Sequence, residues 1–204
     1  MKHILKGREP IELSQWKSSN PKLGYGDLQG EPKQKLKDSL IIEQKYICCY
    51  CECRISSHNS HIEHFKPKDN AQFPQHQLVY NNLHLSCVKE PTGAFGEHCG
   101  HRKQNLYSKL LVSPIEEDCH THFSYQLDGI IEAVDDRGTE TINVMRLDSS
   151  LLNEKRKALI DFFIFDVEDT DRENELTNHL NGRCAQFGEF HTMIEYLTNA
   201  KQLQ

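Results

Sequence analysis

The chain lacks a long hydrophobic run. Across 204 residues the longest apolar stretch, positions 159–167, is broken by Asp161 and Asp166. A helical membrane span needs roughly 18 or more consecutive apolar residues, so that class is excluded. The opening MKHILKGRE also lacks the apolar centre of a secretory leader, and a cytoplasmic protein, with its thiols reduced, is expected. Positive charge is not in excess either: 24 Lys and Arg stand against 30 Asp and Glu, a net charge of −6. A chain that holds nucleic acid by itself usually carries a larger positive field, because counterion release drives its binding. The deficit is local. Residues 1–30 carry +2, residues 31–110 carry +3, and residues 111–204 carry −11. A mildly basic front and an acidic rear point to a partner protein, since complementary charge steers association. Internal repeats are missing as well, which excludes a solenoid.

Against these absences stand eight cysteines and twelve histidines. In a reducing compartment, clustered Cys and His indicate metal or redox chemistry before disulfides. Cys48, Cys49, Cys51 and Cys53 lie within six positions, Cys87 and Cys99 follow, and seven histidines fall between His58 and His101. Two thiolates separated by two residues can grip one zinc from a tight knuckle, and tetrahedral closure needs a second pair. The order Cys48-x2-Cys51-x35-Cys87-x11-Cys99 supplies it, with Cys49 and Cys53 competing at a spacing of four. A thioredoxin-like reading of the same Cys-x-x-Cys lacks its βαβ context and leaves the histidines unexplained. Cys119 and Cys184 stand apart and are expected only to fill space.

Periodicity divides the chain into an N-terminal arm and helix (1–45), a Cys/His-rich segment (46–110) and a mainly helical, acidic remainder (111–204). Residues 1–30, with Pro10, Pro21, Gly24, Gly26 and Gly30, read as an irregular arm with one short turn. A helix is predicted from Pro32, burying Leu36, Leu40 and Ile41 and exposing Lys33, Lys35 and Lys37 to solvent or to phosphate. The stretch from Tyr46 to Lys103 cannot bury much apolar area, and metal coordination can order it instead. Phe123–Leu127 and Ile130–Val134 flank Asp128-Gly129 and predict a hairpin with a type I′ turn. Helices are expected over about 139–146, 149–167 and 189–201, and the acidic tract 166–175 as a solvated helix–loop face.

The motifs then fall in a fixed order: C-x-Y-C at 48–51, E-H-F-x-P at 63–67, N-L-x-L-x-C at 82–87 and C-x-x-x-K at 99–103. Together they resemble the zinc-knuckle form of the HNH endonucleases. That resemblance implies an α+β fold: a ββα-metal module with structural zinc on Cys48, Cys51, Cys87 and Cys99, set among flanking helices and a β-hairpin. It also implies a catalytic divalent cation, Mg²⁺ or Mn²⁺. By position, His64 is similar to the general base that deprotonates the attacking water, and Glu63 to a metal-binding carboxylate. Asn82 resembles the residue that orients the histidine through its backbone carbonyl. Lys103 matches a basic residue one turn beyond the last cysteine and, with Lys66 and Lys68, is a candidate nucleic-acid contact. The chemistry supports the resemblance: an imidazole with an ordinary pKa near ~6.5 can deprotonate water at neutral pH, while a cation offsets charge on the leaving oxygen. One departure is plain. Gly100 stands where the family has a second metal ligand, and His101, or else His98, is the expected substitute.

The phrases at 48–52, 61–67 and 98–103 resemble more closely the Septu-type HNH subunits of bacterial anti-phage systems, including the retron-associated form. This implies an ABC/SMC-like ATPase as partner, in some systems with a reverse transcriptase and its RNA–DNA product. DNA is the expected substrate. The rival readings are an RNA- or tRNA-cleaving effector and a catalytically inactive, zinc-stapled adaptor.

Overall fold

The computed structural model describes residues 1–69, 71–88, 98–182 and 185–203. The arm is more regular than its prolines and glycines suggest. It forms helix α1, Ile11–Ser19, whose first turn caps on the Pro10 carbonyl and whose Leu13 is fully buried. Helix α2, Gly30–Glu43, buries Leu36, Leu40 and Ile41, as its periodicity predicts. Its lysines do not all face solvent, because Lys37 Nζ donates to the carbonyls of Ser57 and Ser60. The chain leaves α2 through Lys45 and Tyr46, both left-handed with φ of 49° and 65°. Gln44, buried at this exit, donates to the Leu85 carbonyl at 2.8 Å and accepts from the Leu85 N–H at 2.6 Å. A side chain thereby completes a strand edge and satisfies the Leu85 N–H, while the Leu85 carbonyl also accepts from the Cys49 N–H at 3.1 Å.

Strands β1 (Ser60–His64) and β2 (Leu83–Cys87) pair antiparallel in the register Ser60↔Cys87 through His64↔Leu83. Helix α3, Cys99–Lys103, follows and packs on β2. A second hairpin joins β3 (Phe123–Tyr125) to β4 (Ile131–Ala133). Its turn is not type I′, which needs positive φ at both central residues; of Asp128 and Gly129 only Gly129 is positive, at 85°. The C-terminal region holds α4 (Asp136–Met145), α5 (Ser150–Asp161, running on as a π turn to Asp166), α6 (Asp169–Asn181) and α7 (His191–Asn199). Helix α6 occupies part of the acidic tract expected as a solvated face. Asp135 caps α4 by accepting from Gly138 N–H at 2.8 Å.

The architecture is α+β. One buried cluster runs from Leu13, Leu36 and Leu40 through the knuckle cysteines to Met193, Ile194 and Leu197. Polar links cross it. Glu52, in the knuckle, accepts from the Thr192 N–H and hydroxyl at 2.8 and 2.6 Å, and the Arg54 guanidinium donates to the Phe187 carbonyl. The Met1 ammonium lies 2.9 Å from Glu52. No helix among the described residues is long and apolar enough to cross a membrane.

Candidate active site and metal centre

The thiol cluster is built by backbone geometry. Cys48 and Cys51 sit in a tight turn held by the Glu52 N–H to Cys48 carbonyl bond at 3.1 Å and the Cys48 N–H to Cys53 carbonyl bond at 2.9 Å. Cys87 ends β2, and Cys99 opens α3. Their four sulfurs lie within 4.8 Å of one another, with Cys51 and Cys87 Sγ atoms 3.8 Å apart. Zinc–sulfur bonds of about 2.3 Å in a tetrahedron place sulfurs about 3.8 Å apart, so the four residues fit zinc. Cys49 and Cys53 do not join this group. Burial raises thiol pKa values, yet hydrogen bonds from neighbouring thiols hold Cys48 and Cys51 well below the usual range. Zinc binding would deprotonate all four thiols and release their protons. His98 Nδ1 contacts Cys99 Sγ at 3.2 Å, so His98 belongs to the rim of the thiol cluster.

Beside it, alternation along β1 sends His61 and Glu63 toward α3. Glu63 is buried and gathers three partners: Lys103 Nζ at 2.8 Å and the Tyr50 hydroxyl at 3.2 Å on Oε1, and His61 Nε2 at 3.4 Å from Oε2. Burial alone would raise this carboxyl, but His61 and Lys103 hold it below its ordinary value, so it is ionised. Gly100 lies directly over Oε2, and Ser86 Oγ accepts its N–H at 3.1 Å. The His101 ring centroid is 4.6 Å from that of His61.

His64 ends β1 on the other face. Its Nε2 lies 3.0 Å from the Gln77 carbonyl; a carbonyl only accepts, so Nε2 carries the proton and Nδ1 is the basic nitrogen. The ring stands edge-on to Tyr25, centroids 4.4 Å apart. Burial pushes the imidazole down to about 4, against the opposing pull of Gln77, so it is neutral at neutral pH. Asn82 acts differently from the expectation. Its backbone carbonyl accepts from Phe65 N–H at 3.0 Å, not from the histidine. Its side chain accepts from Lys66 N–H at 2.7 Å and donates to the Lys66 and His76 carbonyls at 2.9 and 3.0 Å. Asn82 therefore fixes the segment that carries Gln77.

No protein-family model matches the chain. It is 30% identical over 182 residues to a protein of Vibrio cholerae serotype O1 biovar El Tor named as an HNH endonuclease of retron Vc95, and the match covers 84% of each chain. The chain belongs to the retron HNH endonuclease family. A retron Ec83 HNH endonuclease of Escherichia coli is 33% identical over 98 residues, covering 43% of this chain and 38% of that one. Septu protein PtuB of Bacillus thuringiensis is 30% identical over 123 residues, covering 58% and 42%.

For a retron HNH endonuclease, a second placement, after that of Asn82, differs from the sequence expectation. Lys103, expected on nucleic acid, is fully buried: its ammonium is held by Glu63 and by the His64 carbonyl at 2.9 Å, because α3 packs its last turn against the end of β1. Tyr50, inside the Cys48–Cys51 turn, donates to Glu63. Lys66 is partly buried, with its ammonium 5.9 Å from the Phe73 ring centroid, and Lys68 pairs with Asp69 at 2.6 Å on the surface. The sequence motifs assign His61 no role. Its signal was present: it stands two positions before Glu63 in a strand, hence on the same face. Cys119 is buried with its thiol on the Met1 carbonyl, and Cys184 lies outside the described residues.

Proposed function

We propose that this endonuclease hydrolyses phosphodiester bonds of DNA in a cation-dependent reaction, as the effector of an anti-phage complex with an ABC/SMC-like ATPase. In this reading residues 46–110 form the ββα-metal module, stapled by zinc on Cys48, Cys51, Cys87 and Cys99. Residues 1–45 and 111–204 flank it and offer the partner surface. His64 is the general base, taking a water proton at Nδ1 while Gln77 holds Nε2–H. Glu63 and His101 hold Mg²⁺ or Mn²⁺, which when bound supplies charge against the phosphate and leaving oxygen. Asn82 positions His64 through the Gln77 segment, and Lys66 and Lys68 meet the backbone phosphates.

A single observation carries the reading. A neutral, carbonyl-oriented imidazole and an ionised carboxylate occupy consecutive positions at the end of β1, beside a four-thiol cluster that fits zinc. The acidic 111–204 region supports docking to a basic partner, and the Septu relative supports a defence setting.

The test incubates the zinc-loaded protein with its ATPase and duplex DNA, single-stranded DNA, RNA or tRNA, with and without Mg²⁺ or Mn²⁺. DNA cleavage that needs the cation and vanishes in His64→Ala is expected; general-base removal typically costs about 10²–10⁴-fold. Cleavage confined to RNA or tRNA overturns the substrate. Phage protection that survives His64→Ala unchanged overturns catalysis and leaves the adaptor.

A further inference from the structure

Gly100 has a physical cause in this structure. A Cβ at that position would lie 2.5 Å from Glu63 Oε2 and 2.7 Å from His61 Nε2. The space that a side chain at residue 100 would enter is already shared by the carboxylate and an imidazole arriving from β1. We propose that His61 is a ligand of the catalytic divalent cation, its Nε2 standing in for the side chain missing at position 100. The inference rests on the cation site proposed for Glu63.

Three features support it. First, Glu63 Oε1 is committed to Lys103 and Tyr50, which leaves Oε2 as the ligand oxygen, and His61 Nε2 is its neighbour at 3.4 Å. Two adjacent donors each about 2.1 Å from one octahedral cation lie about 3.0 Å apart, so a small closing movement brings this pair onto one cation. Second, His61 Nδ1 is buried with no hydrogen-bond partner among the described residues. No donor meets Nδ1, so that nitrogen can carry the ring proton and leave Nε2 bare once a cation replaces the Nε2–H contact to Glu63. Third, the His61 side chain is 29% exposed beside a nearly buried Glu63, which puts it at the solvent edge of the carboxylate where an ion would arrive. An ordinary His61–Glu63 ion pair would share the distance, but it predicts that removing His61 leaves cation binding intact.

Full-length zinc-loaded protein is titrated with Mn²⁺, free Mn²⁺ is read by electron paramagnetic resonance, and bound Mn²⁺ by its nitrogen modulation in electron spin echo envelopes. His61→Ala is expected to weaken Mn²⁺ binding about tenfold or more and to reduce the nitrogen modulation, with zinc content and circular dichroism unchanged. Wild-type affinity and modulation in His61→Ala, alongside weakened binding in Glu63→Gln, overturn the His61 assignment and keep the cation site. No change in either variant, or no Mn²⁺ bound by the wild type, overturns both. Should His61→Ala lose zinc or unfold, His101→Ala decides. Residual nitrogen modulation there supports His61, and its disappearance overturns it.

Discussion

At the scale of single residues, the fate of Lys103 shows what a linear reading can and cannot see. Its position four after Cys99 is legible, and a lysine one turn beyond a knuckle suggests phosphate. Its burial is not legible, because it depends on where α3 meets β1 in space. The buried ammonium balances a buried carboxylate, and breaking such a pair from one side leaves an uncompensated charge at a cost of about 3–5 kcal/mol. Lys103→Met should therefore lower stability by about that much in urea denaturation, and adding Glu63→Gln should recover part of the loss. If Lys103→Met instead keeps stability and weakens nucleic-acid binding, the lysine reaches substrate after all. The clustering of the four cysteines is legible because a Cys-x-x-Cys pair announces a second pair, whereas Glu63 and His64 stand out only as adjacent residues of a motif that resembles the HNH family. Tyr50 is not legible, because its role comes only from a contact with Glu63 made by folding, and His61 shows in the sequence only as a same-face neighbour of Glu63.

At the scale of elements, Asn82 connects the start of β2 to the long 65–79 excursion. Three side-chain hydrogen bonds tie it to Lys66 and His76, and that segment supplies the carbonyl that fixes the His64 tautomer. Asn82→Ala should lower kcat more than it raises KM and cost about 1–3 kcal/mol, the range for unsatisfied buried partners; an unchanged kcat would show that the excursion holds itself. Helices α6 and α7 allow a prediction in pH. His179 Nε2 donates to the Glu189 carbonyl at 2.8 Å and His191 Nε2 to the Leu180 carbonyl at 3.0 Å. Burial lowers both pKa values below 6.5. The unfolded chain then binds more protons than the folded one as pH falls through 6.5, so stability should drop across that window. The double variant His179→Gln/His191→Gln should flatten the slope measured by denaturation at pH 7.5 and 5.5. Legibility also varied by element. Helix α2 and the β3–β4 hairpin follow from apolar spacing, whereas α1 and α6 do not, since each buries a single residue, Leu13 or Leu176, and so leaves little periodic signal.

At the scale of the whole molecule, the question is whether the thiol cluster staples only its own segment or the entire chain. The apolar cluster is continuous from α1 to α7, and the knuckle contributes Cys48, Tyr50, Cys51 and Ile55 to it. Two polar links leave the same turn for the C-terminal region, Glu52 to Thr192 and Arg54 to Phe187. Glu52 reaches α7 only while the chain between Cys48 and Cys53 keeps its tight fold, with Glu52 itself left-handed at a φ of 63°. Such a conformation is unfavourable for a glutamate and persists only where its surroundings enforce it. Metal binding that orders the turn would therefore also fix the seat of α7, and its free energy would be shared by both halves of the molecule. A metal assay should find about one zinc per chain. Chelation, or Cys87→Ser, should then remove hydrogen-exchange protection from β1, β2 and α3 and, in the same transition, from residues 191–199 of α7. Protection lost only within residues 46–110 would mean that the cluster serves its own module alone, and that the α7 contacts rest on apolar packing without help from the turn.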